Sequence, residues 1–316
     1  MSEGGVSVLR GRALAVYCFL CAIWGSTWLV IKIGLQYLPP LRFAGFRMAL
    51  ACLLLAPFAF RRAVPRPNRR EAGFIALAGF LQIGVAYALI FVAQQWIESG
   101  LSALLFATFP LWVSLLAHFF LPSEPLTVRT IGAAALGLVG VAFIEGPTVL
   151  HAVGSEPGGV LRGGALVFAS AIVAAVANIV NKKYLNRVEP SRNVWGETLV
   201  GAAFLLALAA VLERGAPARW TPQALGALAY LTVFGTALTF VGLFWLIKRV
   251  PVSIIGTIPL VDTFIAVVLG AIVLGEKLPA RTLAGGVLIL TGVFLTARGS
   301  GSAETRPGRR PSIMST

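Results

Sequence analysis

Asp262 stands in the middle of "IIGTIPLVDTFIAVVLG", Ile254 to Gly270, one turn after Pro259. A carboxylate in so apolar a run has two uses. It can exchange protons or bind a cationic group, or it can pin two helices through hydrogen bonds. An ionised Asp at the centre of a bilayer costs roughly 2.5–3.5 kcal/mol on the insertion scale, so it must face a bundle interior or a cavity. Pro259 has no N–H, which frees the carbonyl of Ile255 and tends to bend a helix. A freed carbonyl beside an acid can line a polar site.

Few other groups in the apolar spans could join that chemistry. Arg47 and Glu197 lie 150 residues apart with opposite charges. Each is fifth in its span, and the spans run in opposite directions. They should therefore lie near opposite membrane faces, about 15 Å apart in depth, too far for an ion pair. Arg47 would suit a substrate carboxylate on the outer side, and Glu197 an amine or a proton on the inner side. The competing reading for each is snorkelling toward headgroups. His118 is a candidate proton relay or an interfacial residue. Lys32 and Lys182 end two spans and read as snorkelling anchors; Asn178 and Asn181 precede Lys182. Trp24, Trp28, Gln82, Tyr87, Phe109, Trp112, Tyr230, Phe240 and Trp245 are candidates to wall a cavity, although most aromatics in such a chain pack or anchor at interfaces. The site read from the sequence is thus Asp262, Pro259, Pro110, Arg47, Glu197, His118, Trp24, Tyr87, Trp112 and Asn178.

Enzyme chemistry is not visible. There is no H-E-x-x-H, no phosphate-cradling loop and no Ser/His/Asp constellation, and His151 falls in an expected loop far from His118. No catalytic residue, metal or cofactor is expected. Cys18, Cys21 and Cys52 all lie inside apolar spans and read as small apolar residues.

The elements that must position these residues are membrane helices. Hydrophobic residues make up 58% of the 316 and charged ones 12%, about half the charge a soluble domain carries. A bilayer-crossing helix needs about 20 apolar residues. Ten such spans can be drawn: Ala13–Ile31, Phe43–Phe60, Ala72–Ile97, Gly100–Leu121, Leu126–Ile144, Gly163–Val180, Asn193–Leu212, Ala224–Ile247, Pro251–Leu274 and Leu278–Ala297. The first reads as an uncleaved helix, not a signal peptide. With the N-terminus inside, eighteen Lys and Arg fall in inside segments and seven in outside ones. That bias is the positive-inside rule. It accounts for the +14 charge without nucleic acid and puts both termini in the cytoplasm.

The chain repeats itself. A shift of 152 residues lays "EPLTVRTIGAAALGLVGV" (Glu124–Val141) on "EKLPARTLAGGVLILTGV" (Glu276–Val293). At that shift Pro110 falls on Asp262. A shift of 150 lays Lys32 on Lys182, Pro40 on Pro190 and Arg42 on Arg192. Five spans per half is an odd number, so the second half must be inverted, an arrangement common among secondary transporters. The expected organisation is a cytoplasmic tail at 1–12, a first five-helix repeat at 13–146, an external connector at 147–162, a second, inverted repeat at 163–297 and a disordered cytoplasmic tail at 298–316.

"AIWGSTWLVIKIGL" (Ala22–Leu35), Arg47, "FPLWVSLLAHFFLPSEPL" (Phe109–Leu126), "VFGTALTFVGLFWLIKRVPVS" (Val233–Ser253) and "LGEKLPARTLAGGVLILTGVFL" (Leu274–Leu295) resemble the EamA family of the drug/metabolite transporter superfamily. The resemblance implies ten helices in two inverted five-helix repeats and transport of amino acids or other metabolites, often outward. Similar proteins often carry Pro at the Pro110 locus in both halves, so the resemblance assigns no role to Asp262. The expectation is an all-α inner-membrane transporter of a small molecule by alternating access, with protons as the candidate coupling ion and the lipid bilayer as its other partner. An uncoupled facilitator, and a non-transporting membrane enzyme or assembly factor, are the competing readings.

Overall fold

The computed structural model describes residues 11–61, 64–121, 128–152, 158–247, 249–250, 252–255 and 257–300. Most of both expected tails, Glu124, Lys248 and the part of the connector from 153 to 157 lie outside these residues. The described chain is helical, with no strand: α1 (Arg12–Gly34), α2 (Pro40–Ala59), α3 (Arg69–Ala93), α4 (Ser99–Phe120), α5 (Val128–Ala152), α6 (Gly159–Tyr184), α7 (Pro190–Leu212), α8 (Pro222–Leu246), α9 (Ile258–Leu274) and α10 (Ala280–Ser300). His151, expected in a loop, lies in the last turn of α5.

Among the described residues seven helices are long and apolar enough to cross a membrane: α1, α2, α3, α4, α6, α7 and α8. The other three carry shorter apolar stretches at Ile131–Ile144, Ile258–Leu274 and Ala280–Leu295. Large apolar side chains stand exposed around the molecule, among them Leu53, Phe119, Phe264, Ile272 and Val287. Water would not tolerate so continuous a coat, and acyl chains would. This is a multi-pass membrane protein.

Local sequence starts the helices. Pro40, Pro190 and Pro222 open α2, α7 and α8, where a missing N–H costs nothing and φ is preset. Asn68 and Glu71 form a capping box at α3, each accepting from the other's backbone N–H at 2.8 Å.

Packing is arranged by halves. α2 lies along α7 and α5 along α10, while α1 packs on α8 and α9, and α6 on α3 and α4. Exchanging α1–α5 for α6–α10 maps this set of neighbours onto itself. α5 and α10 meet backbone to backbone. A Cβ on Gly140 would stand 2.6 Å from the Gly285 carbonyl oxygen, and a Cβ on Gly285 2.6 Å from that of Gly140. Close approach through small residues is how helices gain dispersion contacts in lipid, where no hydrophobic force joins them.

The spans are less regular than the sequence suggests. α3 and α8 each widen into a π-turn, at Phe80–Val85 and Val233–Leu238. α4 is interrupted at Ala107 and Thr108. The expected ninth span is divided into a single turn, Val252–Ile255, and α9 proper. Pro259 therefore does not bend a continuous helix; it occupies the first turn of a new one, where it has no N–H to leave unpaired.

Replacing Gly285 by Val should force α5 and α10 apart and cost about 1–3 kcal/mol. Thermal unfolding of the detergent-solubilised protein would read this as a lowered midpoint. A midpoint equal to that of the unchanged chain would mean the glycine contact does not hold the pair together.

Candidate functional site

The start of α9 is fixed by two threonine contacts. Thr257 Oγ1 donates to the Ile254 carbonyl at 2.6 Å and shares a 2.8 Å hydrogen bond with the Tyr17 hydroxyl of α1. Thr263 Oγ1 donates to the Pro259 carbonyl at 2.7 Å, so its contact with Asp262 Oδ1, 3.4 Å, is the weaker of the two. Asp262 is thereby oriented but barely satisfied, with capacity left for another partner. α1 reaches it because residue 25 is glycine: a Cβ there would lie 2.7 Å from the Asp262 carbonyl oxygen.

Arg47 comes from α2 and is 3% exposed. Its Nε donates to Thr236 Oγ1 at 3.3 Å and its Nη2 to the Gly235 carbonyl at 3.4 Å. Its guanidinium lies 5.5 Å from the centroid of the Tyr87 ring. Gly235 and Thr236 belong to the π-turn of α8, which loosens the helical ladder and turns acceptors sideways. Both bonds are long, and no carboxylate among the described residues pairs with Arg47. A buried cation without its anion carries an effective penalty of several kcal/mol. Its charge is thus left with hydrogen-bonding capacity that an anion could fill.

Arg47 and Asp262 line one cavity of about 300 Å³. Among the described residues, both π-turns and both helix breaks open onto it. The π-turn of α3 supplies Gln82, the π-turn of α8 supplies Gly235, the interruption in α4 supplies Ala107 and Pro110, and the start of α9 supplies Pro259. Trp24, Trp28, Phe91, Phe106, Phe109 and Phe240 form apolar walls. Trp28 meets Phe106 at 5.5 Å, and Phe106 stacks on Phe109 at 5.8 Å. The result is a largely aromatic chamber with a cation on one helix and a carboxylate on another, suited to a small molecule bearing both charges.

Six of the ten residues read from the sequence meet in this chamber: Asp262, Pro259, Pro110, Arg47, Trp24 and Tyr87. The other four lie outside it. Trp112 packs edge-on against Phe168. His118 sits beside Phe119 near the end of α4. Asn178 is half-buried on α6. Glu197 is buried against α3 and accepts from Asn193 Nδ2 at 2.9 Å, and that amide also donates to Asn181 Oδ1 at 2.7 Å. Arg47 and Glu197 thus belong to separate sites. The equation of Pro110 with Asp262 needs correction. Thr108 and Thr257 each donate Oγ1 to the carbonyl three residues back and accept the same two backbone N–H groups ahead. Pro110 therefore corresponds to Pro259, a shift of 149 residues, because the halves differ by short insertions. Phe91, Phe106, Thr27, Gly235 and Thr263 also line the chamber and were not read from the sequence. They sit in uniformly apolar or small-residue stretches, where periodicity has no contrast to report.

Polar contacts tie the far end of the bundle together. Lys32 does not snorkel. Its Nζ donates to the carbonyls of Gln94 and Ile97, each at 2.7 Å, and so neutralises the C-terminal end of α3. Glu276 accepts from the Ser99 N–H at 2.8 Å, the Ser99 hydroxyl at 2.7 Å and the Gly100 N–H at 3.0 Å, capping α4 from another helix. Glu213 likewise caps α2, through the N–H groups of Leu41 and Arg42 at 2.7 and 2.8 Å. Glu98 feels the charges of both Lys32 and Glu276: its carboxyl is held above its ordinary range by burial and by the Glu276 charge, with Lys32 opposing.

Two matches to the EamA-like transporter family cover residues 12–146 and 161–298. The chain belongs to this family of membrane transporters. Three relatives illustrate its neighbourhood. The uncharacterized transporter YoaV of Bacillus subtilis is 28% identical over 86% of this chain and 92% of its own. The uncharacterized inner membrane transporter YedA of Escherichia coli is 29% identical over 91% and 90%. A probable terminal-alkyne amino-acid exporter of Streptantibioticus cattleyicolor is 29% identical over 91% and 95%. A solved crystal structure, 18% identical, superposes with a TM-score of 0.63 over 93% of this chain and 99% of that one, a likeness of fold. Relatives named as transporters point away from an enzyme.

Glu98 allows a signed pH prediction. Its raised pKa in the folded protein means that ionisation is paid for only after folding. The penalty is absent below the carboxylate range, where both states are protonated, and grows as pH rises through it. Glu98→Gln should therefore raise the thermal midpoint at pH 7, and the gain should vanish near pH 4. An equal shift at both pH values would show that the charge is not the cause.

Proposed function

We propose that this protein is a secondary transporter of small zwitterionic metabolites, amino acids or close relatives, which it exports by alternating access. In this reading ten helices cross the inner membrane as two five-helix repeats of opposite orientation, with both termini in the cytoplasm. The exchangeable neighbours of the two halves support it, as do the two separate family matches and the positive-inside bias. The single observation that carries it is that Arg47 and Asp262 line the same aromatic-walled cavity.

The chemistry follows from the two charges. A substrate carboxylate takes the guanidinium of Arg47 and relieves its unpaired burial. A substrate ammonium, or a proton when the site is empty, takes Asp262. The aromatic walls accept an apolar side chain. Rocking of one repeat against the other would then open the chamber to each face in turn, with the Pro110 and Pro259 breaks as points where the helices can yield. The name of the Streptantibioticus relative, an amino-acid exporter, supports the substrate class.

Purified protein in liposomes, screened by counterflow against a metabolite panel, would name the substrate. Asp262→Asn, inserted at normal level, should lower flux at least about tenfold or abolish its response to an imposed pH gradient. Arg47→Lys keeps the charge but loses the planar fork, and should weaken binding of carboxylate-bearing substrates about tenfold. Unchanged flux and pH response in the Asp262 variant would remove it from the mechanism. Wild-type flux indifferent to a pH gradient would favour an uncoupled facilitator.

A further inference from the structure

A second cleft, of about 370 Å³, lies between the start of α3 and the end of α6, away from the transport chamber. Arg70, Lys183 and Arg187 line it, with Asn68 and Asn186. Its one carboxylate, Glu71, is already engaged by the Asn68 N–H at 2.8 Å. None of the three cations is paired with a carboxylate among the described residues. The cleft is therefore a concentration of positive charge without its counter-charge, at the end of the bundle where the basic residues of both halves gather.

Its wall is apolar and flat. Phe74 and Tyr184 stack at 4.0 Å with parallel rings. The Arg70 guanidinium lies 5.9 Å from the Phe74 centroid, and Lys183 Nζ lies 5.4 Å from that of Tyr184 and 6.0 Å from that of Phe120. These contacts hold two of the cations, Arg70 and Lys183, against the aromatic wall. Phe120 and its neighbour Phe119 are 49% and 68% exposed, so the cleft adjoins the apolar coat of the bundle. A ligand seated there would have its anion on the three cations and its apolar part over the exposed phenylalanines.

We propose that this cleft binds the phosphate of an anionic phospholipid headgroup, with the acyl chains descending past Phe119 and Phe120. A phosphodiester spreads one negative charge over two oxygens, which can accept from the guanidinium forks of Arg70 and Arg187 and the ammonium of Lys183. A glycerol headgroup adds hydroxyls that can donate to Glu71 and bond to Asn68 and Asn186. A zwitterionic choline headgroup would bring its cation against the same positive cluster.

Native mass spectrometry of the full-length protein, offered equal amounts of phosphatidylglycerol and phosphatidylcholine with the same chains, tests this. The unchanged chain should retain phosphatidylglycerol in preference. The triple variant Arg70→Gln, Lys183→Gln, Arg187→Gln should retain it at least about tenfold less, from a loss of roughly fivefold per surface cation. The triple variant should keep the thermal midpoint of the unchanged chain in lipid-free detergent, which excludes misfolding as the cause, and Lys183→Arg alone, which keeps the charge, should retain the lipid normally. The control variant Arg61→Gln, Arg66→Gln, Arg69→Gln removes equal charge from the same end but outside the cleft, and should lose several-fold less retention than the cleft variant does. Equal loss in the control would mean a diffuse surface potential and overturn the proposal. Inorganic phosphate at tens of millimolar should leave the lipid bound; if it strips the lipid and raises the thermal midpoint through the same three cations, the cleft takes a soluble phosphate and the lipid assignment fails.

Discussion

In hydrocarbon, no water is available to satisfy a backbone N–H or carbonyl, so a helix can be interrupted only where something else supplies the partner. The rest of this structure depends on that constraint. Among the described residues its π-turns and helix breaks are not scattered; all four open onto one chamber. There Arg47 takes the Gly235 carbonyl, Thr257 and Thr108 close the broken ladders with their own hydroxyls, and proline occupies positions that have no N–H to lose. The irregular backbone and the polar site require each other.

The remaining helices make that chamber possible in two ways. Small residues let α1 touch α9 at Gly25 and let α5 touch α10 at Gly140 and Gly285. Charges then hold the helix ends from neighbouring elements: Lys32 on α3, Glu276 on α4, Glu213 on α2. A carboxylate on an N-terminus, or an ammonium on a C-terminus, replaces both water and the opposite pole of the helix dipole. The Glu276 and Glu213 contacts join the two halves of the sequence, whereas the Lys32 contact ties two helices of the first half.

Much of this was legible in the residues. Composition and span length declared a membrane bundle, because an apolar run of that length has no soluble alternative. The repeat at about 150 residues declared two related halves. Asp262 declared itself by cost, since a mid-span carboxylate is too expensive to be filler. Arg47 was visible for the same reason, but its setting was not: depth along its helix suggested a place near the outer face, whereas the structure puts it in the chamber with Asp262. Glu197 was equally conspicuous and proved to be held in a small amide cluster instead. Lys32 looked like an interfacial anchor because a sequence does not reveal that two free carbonyls lie at the end of the next helix but one.

The sequence by itself determined the class, the number of apolar spans that can be drawn and which few polar groups demand an explanation. Those follow from transfer free energies, which depend on residue type and run length alone. Tertiary structure decided which polar groups share a cavity, that the fourth and ninth spans are interrupted, and that Pro110 answers to Pro259 and not to Asp262. Those depend on the rotation of each helix about its axis and on hydrogen bonds between residues more than a hundred positions apart. In spans apolar on every side, the periodicity of the sequence carries no information about either.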